Sequence, residues 1–312
     1  MTATDYPRDL IGYGPNPPNP RWPNGARLAV SLVINYEEGA EHSILDGDSH
    51  SEGLMTDVPG HPSFQALEGR RSFNVESIYE YGARAGIWRL LRLFDRYDMR
   101  CTVYACGQAM ERNPVAARAM ADAGHEIATH GYRWIDHSEL SEAEEREHMR
   151  LAIEAIRKTT GKRPVGWFAG RMSAISRQLA AEEGGFLYDS DSYADDLPYW
   201  VEVAGRPVLI IPYSLEVNDM RFTVPGGYTE GTQFFNHMRD TFDVLHEEGA
   251  TLPKMMSVGL HPRVIGRPGR ARALQLFLEH VRRHKDVWVC TREEIARHWR
   301  AEFPFSATGA GA

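Results

Sequence analysis

The sequence predicts an α/β protein, a closed or nearly closed barrel of about eight strands, and three observations predict it. Short apolar, β-branched runs alternate with amphipathic helical segments along most of the chain, the pattern of a parallel sheet or barrel. The 312 residues, 42% of them apolar, can bury one large core, and no long linker divides them. Acidic, histidine and arginine residues recur just after the apolar runs, where parallel barrels carry their chemistry. The alternation alone also fits an open doubly wound sheet.

Residues 1–26 come first. Their PNPPNPRWPNG stretch excludes a regular helix or a central strand, so it reads as an extended arm. The arm has too little apolar periodicity to order alone, and we expect it to order against a neighbouring subunit in a homo-oligomer. Residues 27–305 read as a single domain, and the small-residue stretch SATGAGA places a flexible tail at 306–312.

Within the domain, 28–34 is the first strand. Ile87, Leu90, Leu91 and Phe94 follow the helical i, i+3, i+4, i+7 spacing. A strand at 102–105 leads to a helix over 114–123, where Asn113 caps, Pro114 takes the first position and Gly124 stops the element. A third strand is expected at 126–129. Ser141 and Glu144 make a capping box that opens a helix with the buried stripe Met149, Ala152, Ile153 and Ile156, closed by Gly161 and Pro164. Further strands are expected at 165–168, 186–188, 208–211, 256–260 and 287–290, and helices near 174–183, 233–248, 271–284 and 292–301.

The formal charge of −8 and the lack of a Lys/Arg cluster argue against a nucleic-acid partner and for a small molecule or short glycan. With no apolar leader segment and no run of about 18 apolar residues, neither export nor a membrane span is expected, which suggests the cytoplasm. Cys101, Cys106 and Cys290 are odd in number and lack metal or redox spacing, so they read as buried free thiols.

Reading the residues after each strand yields Glu37 and Glu38, then His130, Arg171, Asp189 and Asp191, Asn218 and Asp219, and His261. A single histidine or aspartate is more often structural than reactive; five strand ends converging on such groups change that balance. One of the adjacent Glu37 and Glu38 can face a pocket as a general base while the other pairs or binds metal. Arg171 can hold a carboxylate bidentately. His261, restrained by Pro262, suits a general acid, with Asp219 to orient it. Tyr36, Tyr132, Trp134 and Trp200 would make an aromatic pocket, or else pack in the core.

These residues resemble the polysaccharide deacetylase family, the NodB-homology group of distorted (β/α) barrels of seven to eight strands that remove acyl groups from glycans. The resemblance covers residues 27 to 290 as five motifs in order. Asn35-Tyr36-Glu37-Glu38-Gly39 matches the first, which implies a catalytic base at Glu37 and a metal ligand at Glu38. His130 matches the first histidine of the second motif, but Trp134 stands where the second histidine ligand belongs. The third motif implies that Arg171 positions the base, the fourth places an acid pair at Glu216 and Asp219, and Leu260-His261 is the fifth.

An indole offers no lone pair to a metal, so the implied ligand set shrinks to Glu38 and His130. The strings 36–39, 130–134, 188–191, 195–200, 218–222 and 265–268 resemble one branch of the family, the allantoinases that work without a metal cofactor. That resemblance implies a carbon–nitrogen hydrolase that opens a cyclic amide of a small ureide such as allantoin. Glu37, Arg171, Asp219 and His261 would be catalytic. Glu38, His130, Tyr36, Tyr132, Arg133, Trp134, Asp191, Trp200 and Asn218 would bind substrate. No cofactor is expected; the alternative is a weakly bound divalent metal such as zinc on Glu38 and His130. Two other readings stay open: a metal-dependent polysaccharide or peptidoglycan N-deacetylase, and an inactive ligand-binding barrel.

Overall fold

The computed structural model describes residues 7–57 and 66–306. Strand β1 (Leu28–Tyr36) is followed by a small ribbon, β2 (His50–Ser51) with β3 (Leu67–Glu68), and by helices α1 (Phe73–Tyr81) and α2 (Ile87–Tyr97), joined through the π-type turn Gly82–Gly86. Then come β4 (Thr102–Ala105), α3 (Gly107–Arg112), α4 (Pro114–Asp122), β5 (Glu126–Thr129), α5 (Glu142–Thr160), β6 (Gly166–Trp167), α6 (Ser176–Glu183) and β7 (Tyr188–Asp189). The hairpin β8 (Tyr199–Val203) and β9 (Arg206–Ile210) leads to α7 (Gly231–Glu248), β10 (Lys254–Leu260), α8 (Pro268–Val281), β11 (Val287–Val289) and α9 (Arg292–Glu302).

The local signals act as their chemistry requires. Asn113 Oδ1 accepts the Ala116 N–H at 3.1 Å, the Ser141–Glu144 capping box forms, and Gly161 closes α5 at φ 81°. In α2 the buried residues are Ile87, Leu90, Leu93 and Phe94.

The main sheet runs β10-β1-β4-β5-β6-β7-β9-β8, with β11 also beside β1. Its pairings are parallel except β8 on β9. The sheet curls into a half-barrel, and among the described residues its end strands β8 and β10 do not pair. The remaining side is bridged by the chain after β9: Gly259 N–H donates to Val217 O at 2.8 Å, and Asn218 pairs with Gly259. The expected distorted barrel is thus nearly closed, its gap spanned by an irregular segment.

Side-chain alternation sorts β1 between two cores. Leu28, Val30, Leu32, Ile34 and Tyr36 pack with the helices, while Ala29 and Val33 face the barrel interior with Tyr104, Phe168, Tyr188 and Tyr213. The fully buried Arg292 crosses that interior, donating to Ser190 Oγ at 3.0 Å, Ser257 Oγ at 2.8 Å and Pro212 O at 2.7 Å. The three cysteines are buried free thiols.

Trp22 is buried and packs on Trp288, Trp299 and His298, its indole N–H donating to Lys254 O at 2.9 Å. Tyr13 Oη donates to Pro198 O. Within the described arm, Tyr13 and Trp22 rest on the chain's own barrel, whereas Leu10 and Ile11 are exposed. The tail lies outside the described residues except for Ser306. Among the described residues, no helix is long and apolar enough to cross a membrane.

Candidate active site

Parallel strands bring their C-terminal ends to one rim, and three of them supply the centre. Glu37 follows β1, His130 follows β5 and His261 follows β10. Between β1 and β5, β4 ends at Ala105 and is followed by Cys106 and Gly107. His130 Nε2 lies 3.2 Å from Glu37 Oε1, and His261 Nε2 lies 3.6 Å from the same oxygen. On its far side His261 Nδ1 lies 2.6 Å from Asp219 Oδ1. The other oxygen of Asp219 accepts the N–H groups of His261 at 2.7 Å and Ile265 at 3.0 Å.

Charge follows from these contacts. Burial opposes ionisation of Glu37, yet Arg263, His261 and His130 together hold its carboxyl well below the usual carboxylate range. Burial also works against a charged His261, but Asp219 and Glu37 outweigh it and lift the imidazole to about 9. Glu38 is pushed up to about 7, by burial above all and by the Glu37 charge, with Arg263 opposing. His130 Nδ1 lies 3.0 Å from Phe168 O. A carbonyl only accepts, so Nδ1 is the donor in that contact.

The arginine on Glu37 is Arg263, which the sequence reading missed. Its Nη2 donates to Glu37 Oε2 at 2.6 Å. Arg171, expected there, instead pairs with Glu52 at 3.4 Å and lies 3.9 Å over the Trp134 ring. The available signal was position: Arg263 stands two residues past His261 at the end of β10, whereas Arg171 stands four residues past the end of β6 and can turn away.

Other expected pocket residues are placed elsewhere. Tyr36 and Glu38 take the helix-facing phase of β1, one residue out of step with Glu37. Tyr36 packs among the helices, and the Glu38 carboxylate points to Gly82, where an added Cβ would come within 2.3 Å of its Oε1. Tyr132 donates to Glu111 at 3.1 Å, and Arg133 clamps Asp48, with Nη1 at 2.9 Å from Oδ1. Trp200 donates to Phe303 O on another part of the barrel. Asn218 caps the turn carrying Asp219 by accepting the Met220 N–H at 2.9 Å. Asp191 accepts the Ala169 and Gly170 N–H groups at 2.7 and 2.8 Å. Gly170, at φ 74°, packs so close to His130 that a Cβ would lie 2.9 Å from its ring. Glu216, the other half of the expected acid pair, is exposed.

Comparison with known proteins accounts for this arrangement. Over 319 aligned residues the chain is 43% identical to a protein of Schizosaccharomyces pombe carrying the polysaccharide deacetylase name, covering 96% of this chain and 99% of that one. This chain belongs to the polysaccharide deacetylase family. The family's sequence model, polysaccharide deacetylase, matches residues 71–186. A crystal structure described as a probable polysaccharide deacetylase from Pseudomonas aeruginosa PAO1 superposes with a TM-score of 0.93 at 55% identity, covering 96% of this chain and all of that one. A crystal structure of PuuE allantoinase superposes equally well, at 53% identity over 97% of this chain and all of that one. As a polysaccharide deacetylase family member the protein is a hydrolase, with the curled α/β half-barrel of that family.

The metal that the family resemblance implies does not fit the donors present here. Trp134 replaces an imidazole, and Glu38 turns from His130 toward Gly82 and accepts the Glu37 N–H at 3.1 Å. The Arg263 guanidinium lies 2.6 Å from Glu37 and 3.5 Å from Glu38, and catalytic zinc takes three protein ligands. Among the described residues, the group of three ligand-type side chains close enough to share an ion is Asp243, His280 and His284, on α7 and at the end of α8.

Proposed function

We propose that the protein hydrolyses a ring amide of a small cyclic ureide such as allantoin by proton transfer between its own side chains, without a metal. One observation carries this reading: the acid–base set of Glu37, His261 and Asp219 is complete, while the ligand set for a metal is not. The 53% identity to PuuE allantoinase, whose name states its substrate, supports it.

In this mechanism the ionised Glu37 accepts a proton from the attacking water as the hydroxide oxygen bonds to the ring carbonyl carbon. The carbon–nitrogen bond then breaks while His261 Nε2 gives its proton to the departing nitrogen. A carboxylate held this low does not keep a proton, so Glu37 relays it to His261 and both groups are restored. Asp219 keeps the imidazole oriented and charged throughout.

The names of the curated relatives favour a second reading, a deacetylase acting on an N-acetylated glycan; one, from Helicobacter pylori, is a peptidoglycan deacetylase 27% identical over 69% of this chain. Incubation with allantoin and with an acetylated chito-oligosaccharide, each with and without excess chelator, separates the two. Allantoin should turn over in chelator and the oligosaccharide should not. Chelator-sensitive release of acetate, with allantoin untouched, would overturn the proposal.

A further inference from the structure

Glu37 and Glu38 are neighbours in sequence, and both carboxylates are buried at the rim. Two such charges are costly unless a cation is fixed between them, and that cation is Arg263. Its Nη2 is 2.6 Å from Glu37 Oε2, its Nη1 is 3.5 Å from Glu38 Oε1, and its backbone N–H donates to Glu38 Oε1 at 3.2 Å. The guanidinium lies 4.3 Å over the Tyr79 ring and 5.4 Å from the Trp134 ring, two aromatic faces that favour a cation out of water. The side chain is fully buried, and among the described residues its Nε and Nη1 find no hydrogen-bond acceptor. Buried donors left without an acceptor are costly, and an oxygen brought to Nε or Nη1 would satisfy them.

We propose that Arg263 is the resident electrophile of the site. It does by hydrogen bonding and charge what a bound divalent cation would do: it fixes Glu37 as the base, balances Glu38, and donates from its free N–H groups to the substrate carbonyl oxygen as that oxygen gains charge. Trp134 completes the exchange of metal for guanidinium by filling the place of an imidazole ligand with a ring that faces the new cation. The inference rests on the ureide-hydrolase reading for its substrate, but not for its claim about which cation the carboxylates hold.

The test uses Arg263→Ala, Arg263→Lys and the double variant Arg263→Ala with Trp134→His. On allantoin, Arg263→Ala should lose about 10²–10³-fold in kcat, as when an oxyanion donor is removed, with part of the loss restored by added guanidinium ion. Arg263→Lys, which keeps the charge and guards against a folding failure, should retain more activity than Arg263→Ala. In calorimetry with zinc chloride alone the wild type should show no binding at the rim, Arg263→Ala weak binding, and the double variant the tightest. Wild-type kcat in Arg263→Ala, or a folded double variant that takes up no more zinc than the wild type, would overturn the proposal. If the wild type opens no ureide, the functional reading fails, and the zinc titrations still decide whether Arg263 holds a cation's place.

Discussion

Asp219 grips His261 at two points, with Oδ1 2.6 Å from the imidazole Nδ1 and Oδ2 2.7 Å from the backbone nitrogen of the same residue. The first contact fixes which ring nitrogen faces Glu37, and the second fixes where the ring is anchored. Since the folded value of about 9 lies above the ordinary histidine value, His261 keeps its acidic proton through neutral pH. Its ionisation favours the folded state fully below about 6.5, and that contribution disappears as pH rises through 9. Hydrolysis should fall along the same alkaline limb. Asp219→Asn should move that limb toward neutral pH, as read from kcat against pH; an unmoved limb would show that another group sets it.

Removing either proton carrier should stop the reaction while leaving the barrel intact. Glu37→Gln and His261→Ala are each expected to lower kcat by about 10²–10⁴-fold, with far-ultraviolet circular dichroism unchanged. Turnover at the wild-type rate in either variant would cancel that residue's role.

Arg171 and Arg263 should part company in kinetics. Arg171 is held by Glu52 and the face of Trp134 and does not touch Glu37. Arg171→Ala should lower thermal stability by about 1 kcal/mol, the scale of a lost cation–π and ion-pair contact, and leave kcat within a few-fold. A collapse of kcat with stability unchanged would return Arg171 to the base.

Asp191 works at one remove. By accepting the Ala169 and Gly170 N–H groups it holds the turn that packs against His130. Asp191→Ala strands two backbone donors, that of Ala169 buried and that of Gly170 half-buried, so thermal unfolding should show a loss of about 1–3 kcal/mol, with a fall in kcat as the His130 ring loses its backing. A variant as stable and as active as the wild type would contradict this account.

The arm offers a stability test. Trp22 is 2% exposed against the barrel, and Trp22→Ala should cost about 3–5 kcal/mol in denaturant unfolding. Because the contact lies within one chain, the loss should be the same at any protein concentration. A loss that shrinks on dilution would instead place Trp22 between subunits.

Much of this architecture is legible in the sequence because its causes are local. Asn113 with Pro114, the Ser141–Glu144 box and Gly161 mark helix ends through bonds to residues three or four away. The hydrophobic runs of β1 and β10 mark the strands that hold the site. Once those strands are parallel, Glu37, His130 and His261 must share a rim. The antiparallel turn of β8 onto β9 was missed, because 199–203 is half-buried and lacks a continuous apolar run.

What the sequence determined by itself is therefore the set of elements and the set of strand-end residues, both consequences of short-range periodicity and capping. Which of those residues meet was decided only by the tertiary structure. Glu37 and Arg263 are 226 residues apart in the chain, and their contact depends on the registry of β1 with β10 and on the path after Pro262. Period-two alternation turned Tyr36 and Glu38 toward the helices while it left Glu37 at the centre. Spacing nominated Arg171 for the base; only the folded chain could put Arg263 on the carboxylate and Arg171 on Trp134.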